Sequence, residues 1–313
     1  MTGDQASFHR VGFHYIPPIS AFELTQPGCR ENPATNILLW IGGLFDTFGF
    51  VSYPFAISDT LPANWSLVQL ILSSSGNSWG TTTLDHDVTE ISNAVRYFRK
   101  HQQGDAKIVI MGHSTGCQDA LHYVSAPRLD SKEQDRPRVD GIILQAPVSD
   151  REALVDSLEP HDLNKGNVIA QQYVQEGRPD DCLPNSVTQP VYRNIGVTAR
   201  RWLSLSSPDG KGQDDMFSSD LTDDQLGRSF GSIPKGTAVL FLCGGKDEYV
   251  PEHVDPEAFM RRWKQFAEQA GAVVHPDSTR LLEGATHNLN GDPQTVVDDL
   301  SRRVNSFLDT LST

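Results

Sequence analysis

Basic charge is what this sequence is shortest of: 26 Lys and Arg stand against 40 Asp and Glu, a formal net charge of −14. A surface of that sign repels phosphate backbones and anionic headgroups, which argues against nucleic acid or an anionic membrane as partner. Cysteine is scarce as well. Cys29, Cys117, Cys182 and Cys243 never fall in C-x-x-C spacing, so neither a zinc site nor a disulfide framework is indicated. No apolar run reaches the roughly 20 residues of a membrane span. Met1 to Ser7 carries neither the basic nor the apolar part of a signal peptide. There is no H-E-x-x-H helix, no P-loop, and no G-x-G-x-x-G opening a helix after the first strand. The expectation is a soluble, cytoplasmic protein that needs no metal or cofactor. In that setting the Asn64-Trp65-Ser66 sequon carries no weight.

What is present is an α/β pattern. Of the 313 residues 38% are apolar, ample for a large core. Apolar runs, Asn36 to Ile41, Ser66 to Leu72, Ile108 to Met111, Val139 to Pro147 and Thr237 to Gly245, read as strands covered on both faces. Between them Asp85 to His101 and Glu257 to Ala270 show helical spacing. So does Asp292 to Leu311, whose stripe is Val296, Val297, Leu300, Val304 and Leu308. Ser7 to Phe13 and Ala21 to Thr25, parted by Pro17-Pro18, suggest an antiparallel lead-in, and the last strand falls within Val273 to Leu282. Strands alternating with helices predict a mostly parallel sheet with helices on both faces. From Ser149 to Lys235 charge, Pro and Gly rise and the β runs stop. Helical patches near Arg151 to Leu158, Asn167 to Gly177 and Val197 to Leu205 suggest a cap, 149–235, inserted into a core of 1–148 and 236–313.

The chemistry concentrates at Gly112-His113-Ser114-Thr115-Gly116, set between a strand and a helix. That is the order of a nucleophile elbow, with Ser114 on a turn so sharp that only glycine fits two residues either side. The Thr115 N–H lies at a helix N-terminus, where an oxyanion would form. Gly42-Gly43-Leu44 follows the strand ending at Ile41, and Leu44 is the second candidate donor. A serine needs a base, and the base an orienting acid. Asp247, after the strand ending in Cys243-Gly244-Gly245, and His287, in Gly284-Ala-Thr-His287, follow Ser114 in the order Ser, Asp, His. Glu248 is the neighbouring alternative acid, and His113, inside the elbow but pointing off it, reads either as packing or as a support behind the site residues. Asp214, Asp215 and Asp220 read as helix capping on a solvated cap face, with a pocket for a cationic group as the other reading.

Over nearly its full length the chain resembles the α/β-hydrolase superfamily. Trp40-Ile-Gly-Gly-Leu-Phe-Asp46, Met111 to Asp119 and Asp215 to Leu221 resemble a mainly fungal family that includes intracellular siderophore hydrolases. The resemblance implies Ser114, Asp247 and His287 as triad, with Leu44 and Thr115 as oxyanion donors. It also implies a small-molecule ester substrate, a fusarinine-type hydroxamate siderophore whose ester bonds are cut to release iron. A general carboxylesterase, thioesterase or peptidase of the same fold is the rival expectation. A non-catalytic binding module on this scaffold is the third.

Overall fold

The computed structural model describes residues 10–25, 35–102, 105–125 and 136–311. Residues 7–9 of the expected lead-in segment and Cys29 lie outside the described residues. Two alternating segments, β1 (Arg10–Ile16) and β2 (Ile19–Thr25), pair antiparallel across Pro17-Pro18. They are followed by β3 (Asn36–Ile41), α1 (Tyr53–Thr60), β4 (Trp65–Ile71), α2 (Leu84–His101), β5 (Ile108–His113), α3 (Gly116–Ser125) and β6 (Gly141–Gln145). Then come α4 (Asp150–Ser157), α5 (Pro160–Gln175), α6 (Asn185–Tyr192), α7 (Ala199–Ser206) and α8 (Asp223–Arg228). The chain finishes with β7 (Ala238–Leu242), α9 (Pro256–Gln269), β8 (Val273–Val274) and α10 (Gln294–Asp309).

The sheet order is β1-β2-β4-β3-β5-β6-β7-β8, with β2 antiparallel to both neighbours and every pair from β4 to β8 parallel. The apolar runs become strands because each residue has a buried place on one face or the other. Ile37, Leu39 and Ile41 of β3 enter one core, while Leu38 and Trp40 enter the opposite one. The same two-residue alternation divides Ile108 and Ile110 from Val109 and Met111 on β5. The first core is closed by α2, α3 and α9 and the second by α1 and α10. Val88, Ile91, Val95 and Phe98 of α2, and Leu300, Val304 and Leu308 of α10, are the buried stripes that their spacing predicts. Burying each such side chain contributes about 1.5–3 kcal/mol before conformational entropy is subtracted. This is the α/β-hydrolase fold.

The last strand falls within Val273 to Leu282 as expected, and one expectation, that for Asp214 and Asp215, is corrected. The last strand is only two residues long: Pro276, which has no N–H to give, opens a short 3-10 turn, and the chain rejoins the sheet in a single bridge from Leu282 to Gly244. Asp214 and Asp215 do not lie on a solvated face. Asp214, 1% exposed, takes bonds of 2.7 Å on both oxygens from buried Arg201, and Asp215 and Asp220 both receive Arg151. The helix cap there is Thr222, which forms a capping box with Gln225 on α8.

Between β6 and β7 the helices carry a core of their own. Leu154, Ala170, Val187, Tyr192, Trp202 and Leu205 pack together and against Trp79. Farther along, Met216, Phe217, Leu226 and Phe230 join the core beneath α9 instead, with Phe230 stacked on Trp263. The C-terminal ends of β3, β5, β6 and β7 all open toward one edge. That edge receives the loops holding Leu44, Ser114, Val148 and Asp247.

Candidate active site

Ser114 leaves β5 with φ 53°, a left-handed conformation that costs a non-glycine residue on the order of 1–3 kcal/mol. The strain is held by the Ser114 N–H on Gln145 O at 3.0 Å and by the Cys117 N–H on Ser114 O at 2.9 Å. A Cβ on Gly112 would sit 2.1 Å from the Gly116 carbonyl oxygen, and one on Gly116 would sit 2.5 Å from that of Ile41. Both are backbone atoms of packed elements, so both positions require glycine. Gly43 presses from the other side: its missing Cβ would lie 2.7 Å from Ser114 Cβ. Among the described residues, neither the Leu44 nor the Thr115 N–H makes a hydrogen bond. Both residues line the same cavity as Ser114, of about 490 Å³.

His287 lines that cavity too, and Asp247 stands behind it. His287 Nδ1 is 3.0 Å from each carboxylate oxygen of Asp247. A carboxylate only accepts, so Nδ1 carries the proton and Nε2 the lone pair, the tautomer of a general base. The neighbouring acid has a different place: Glu248 accepts the His287 backbone N–H at 3.0 Å and braces the loop, not the ring. Asp292 takes the Thr286 N–H at 2.8 Å, and the Tyr249 ring meets the imidazole edge-on at 4.6 Å. No hydrogen bond joins Ser114 Oγ to His287 among the described residues.

Beneath the site lies a polar chain in which His113, expected as packing or as support behind the site, takes the supporting place, while no sequence motif gives Trp40, Tyr53 or Gln145 a role in it. Trp40 Nε1 donates to Tyr53 Oη at 3.0 Å, and Tyr53 donates to Gln145 Oε1 at 2.9 Å. His113 Nδ1 donates to the same oxygen at 2.6 Å, and Gln145 Nε2 donates to the His287 carbonyl at 3.2 Å. Burial pushes the Tyr53 phenol well up and holds His113 neutral, down to about 3, with His287 nearby adding to the second effect. Gln145 reads in sequence as one more residue of a buried strand, and its polarity there was the available signal. Cys117 and Cys243 are core thiols pushed up by burial, which leaves them unreactive. Among the described residues no helix is long and apolar enough to cross a membrane.

Residues 9–309 match the family described as "Protein of unknown function (DUF1749)". The chain is 37% identical to "Esterase AN6793" of Emericella nidulans, over 94% of this chain and 90% of that protein. It is 33% identical to "Fusarinine C esterase sidJ" of Aspergillus fumigatus, over 90% of each. The solved "Siderophore hydrolase EstB from Aspergillus fumigatus" superposes with a TM-score of 0.83 at 32% identity, over 98% of this chain and 99% of that one. The chain belongs to the DUF1749 family and is a carboxylic ester hydrolase of the α/β-hydrolase fold.

Proposed function

We propose that this chain hydrolyses the ester bonds of a hydroxamate siderophore of the fusarinine type through a Ser114–His287–Asp247 triad. The observation that carries the triad is the Asp247 carboxylate set evenly on His287 Nδ1, which leaves Nε2 free toward the cavity that Ser114 lines. In this reading Ser114 Oγ attacks the ester carbonyl as His287 Nε2 takes its proton. The tetrahedral oxyanion rests on the N–H groups of Leu44 and Thr115. His287 then protonates the leaving alkoxide, so the first product is an alcohol and the second a carboxylic acid once water has cleared the acyl-enzyme. The ester is the substrate, and any iron it carries is cargo.

The substrate class rests on the relatives named as fusarinine C esterase and siderophore hydrolase. The insertion over 149–235 serves as the cap of this site: Leu154 and Tyr192 line the cavity from their own apolar cluster. Cleavage releases iron inside the cell. The test is mass spectrometry of ferric and iron-free fusarinine-type siderophore after incubation with the protein. Linear ester fragments support the reading; intact siderophore alongside hydrolysis of a short nitrophenyl ester would retain the triad and discard this substrate in favour of a general carboxylesterase.

A further inference from the structure

The turn that carries Leu44 is built around a side chain outside the triad. Gly43 to Asp46 is a β-turn closed by the Asp46 N–H on the Gly43 carbonyl at 3.2 Å, with Phe45 at φ 69° in its third position. That position ordinarily takes glycine, so Phe45 is strained, and its ring is held edge-on by Trp79 at 5.4 Å. The Asp46 side chain then reaches back: Oδ2 accepts the Gly43 N–H at 2.7 Å, while its carbonyl accepts the Gly76 N–H at 2.9 Å. Asp46 is thereby fixed at three groups while only 6% exposed. The two glycines divide the room around it. A Cβ on Gly42 would strike Asp46 Cβ at 2.6 Å, and one on Gly43 would strike Ser114.

We infer that Asp46 is the positioning residue of the oxyanion turn: its carboxyl, by holding the Gly43 N–H, fixes the Gly42–Gly43 peptide, while its backbone N–H on the Gly43 carbonyl fixes the Gly43–Leu44 peptide beside Ser114 with the Leu44 N–H left unbonded. The inference rests on the esterase reading above and deepens it. An ionised acceptor holds an amide more tightly than a neutral one, and 2.7 Å is the length of such a bond. Asp46 also faces the rest of the site. His113 Nε2 lies 3.7 Å from its Oδ2, and His113 connects through Gln145 to the His287 carbonyl. The oxyanion turn and the loop of the base therefore share one buried scaffold. The titratable groups around Asp46 are His113 on β5, Tyr53 on α1 and His287. Because Gln145 takes the His113 Nδ1 proton, Nε2 presents a lone pair toward the carboxyl. Burial pushes Asp46 up to about 6, against the lowering by Gly43 and His287. Above that pH it is the carboxylate that holds the turn.

The test compares Asp46→Ala and Asp46→Asn with wild type on one ester, with Ser114→Ala alongside. Asp46→Ala is expected to lower kcat by about 10- to 100-fold with KM changed less than about threefold, as for loss of transition-state binding alone. Asparagine can still accept the Gly43 N–H with its amide oxygen in the place of Oδ2, so kcat should return to within about fivefold of wild type. Its rate should also lose one proton's dependence below about pH 6, giving a shallower acid limb. If the alanine variant fails to fold, the asparagine variant decides on kcat and acid limb together. A kcat for Asp46→Ala within twofold of wild type, or an asparagine variant as impaired as alanine, overturns the inference while an inactive Ser114→Ala keeps the esterase reading. An active Ser114→Ala overturns that reading itself.

Discussion

At the scale of single residues the site depends on what each group is forbidden to do. Asp247 can only accept, and that fixes the proton on His287 Nδ1. Asp247→Asn can donate its amide to Nδ1 and thereby reverse the tautomer. Its kcat is expected to fall by about 10³- to 10⁴-fold at pH 7.5 with little change in the thermal midpoint, measured by steady-state kinetics and calorimetry. Gly43 is limited by space, since an added Cβ meets Ser114 at 2.7 Å. Gly43→Ala should therefore displace the turn or the nucleophile and lower kcat by at least about tenfold. Wild-type kcat in that variant would contradict the close approach. The meeting of Ser114, Asp247 and His287 at one edge of the sheet could be read in sequence because each follows an apolar run in a fixed order. Asp46 could not: it stands in a Gly-Gly turn where any aspartate reads as turn chemistry, and its partners come from β5 and, through His113 and Gln145, from the His287 loop.

At the scale of elements, legibility follows burial. The β3, β5, β6 and β7 runs, buried at every residue, were plain from their continuous apolar sequence. So were α2 and α10, whose stripes face a core. Helix α6 was hidden by Pro190 within it and α8 by its six residues, too few to display a period. The carboxylates of Asp214 and Asp215 misled because acidic residues near Ser and Gly resemble surface. What buries them is Arg201 on α7 and Arg151 on α4, a pairing that exists only after folding. Arg201 is 4% exposed, and its bond to Asp214 is one of the ties holding α7 to the following loop. Arg201→Ala leaves a buried carboxylate without its cation and is expected to destabilise the protein by about 3–5 kcal/mol in chemical denaturation. A loss below about 1 kcal/mol would mean that the pair is solvated.

At the scale of the whole molecule the excess of acid is partly internal. Burial pushes Asp87 and Asp150 up to about 7 and Asp46 up to about 6, and Asp119 is raised as well. A carboxyl raised in the folded state binds more protons folded than unfolded between its ordinary and its raised value. Stability therefore falls as pH climbs through that window. His113 and His275, lowered by burial, act in the opposite sense, but only below the ordinary histidine value of about 6.5. The melting temperature should therefore rise by a few degrees between pH 8 and pH 6.5, as read by differential scanning calorimetry. A melting temperature that falls over that interval would show these carboxyls to be ionised and paired.

The central claim is that Ser114 is the nucleophile of an ester hydrolase. The most direct measurement is kcat/KM for wild type and Ser114→Ala on the same ester, with the fold of each checked by circular dichroism. The account predicts a loss of about 10³-fold or more in a variant that folds as wild type does. A folded Ser114→Ala with activity within tenfold of wild type would contradict it.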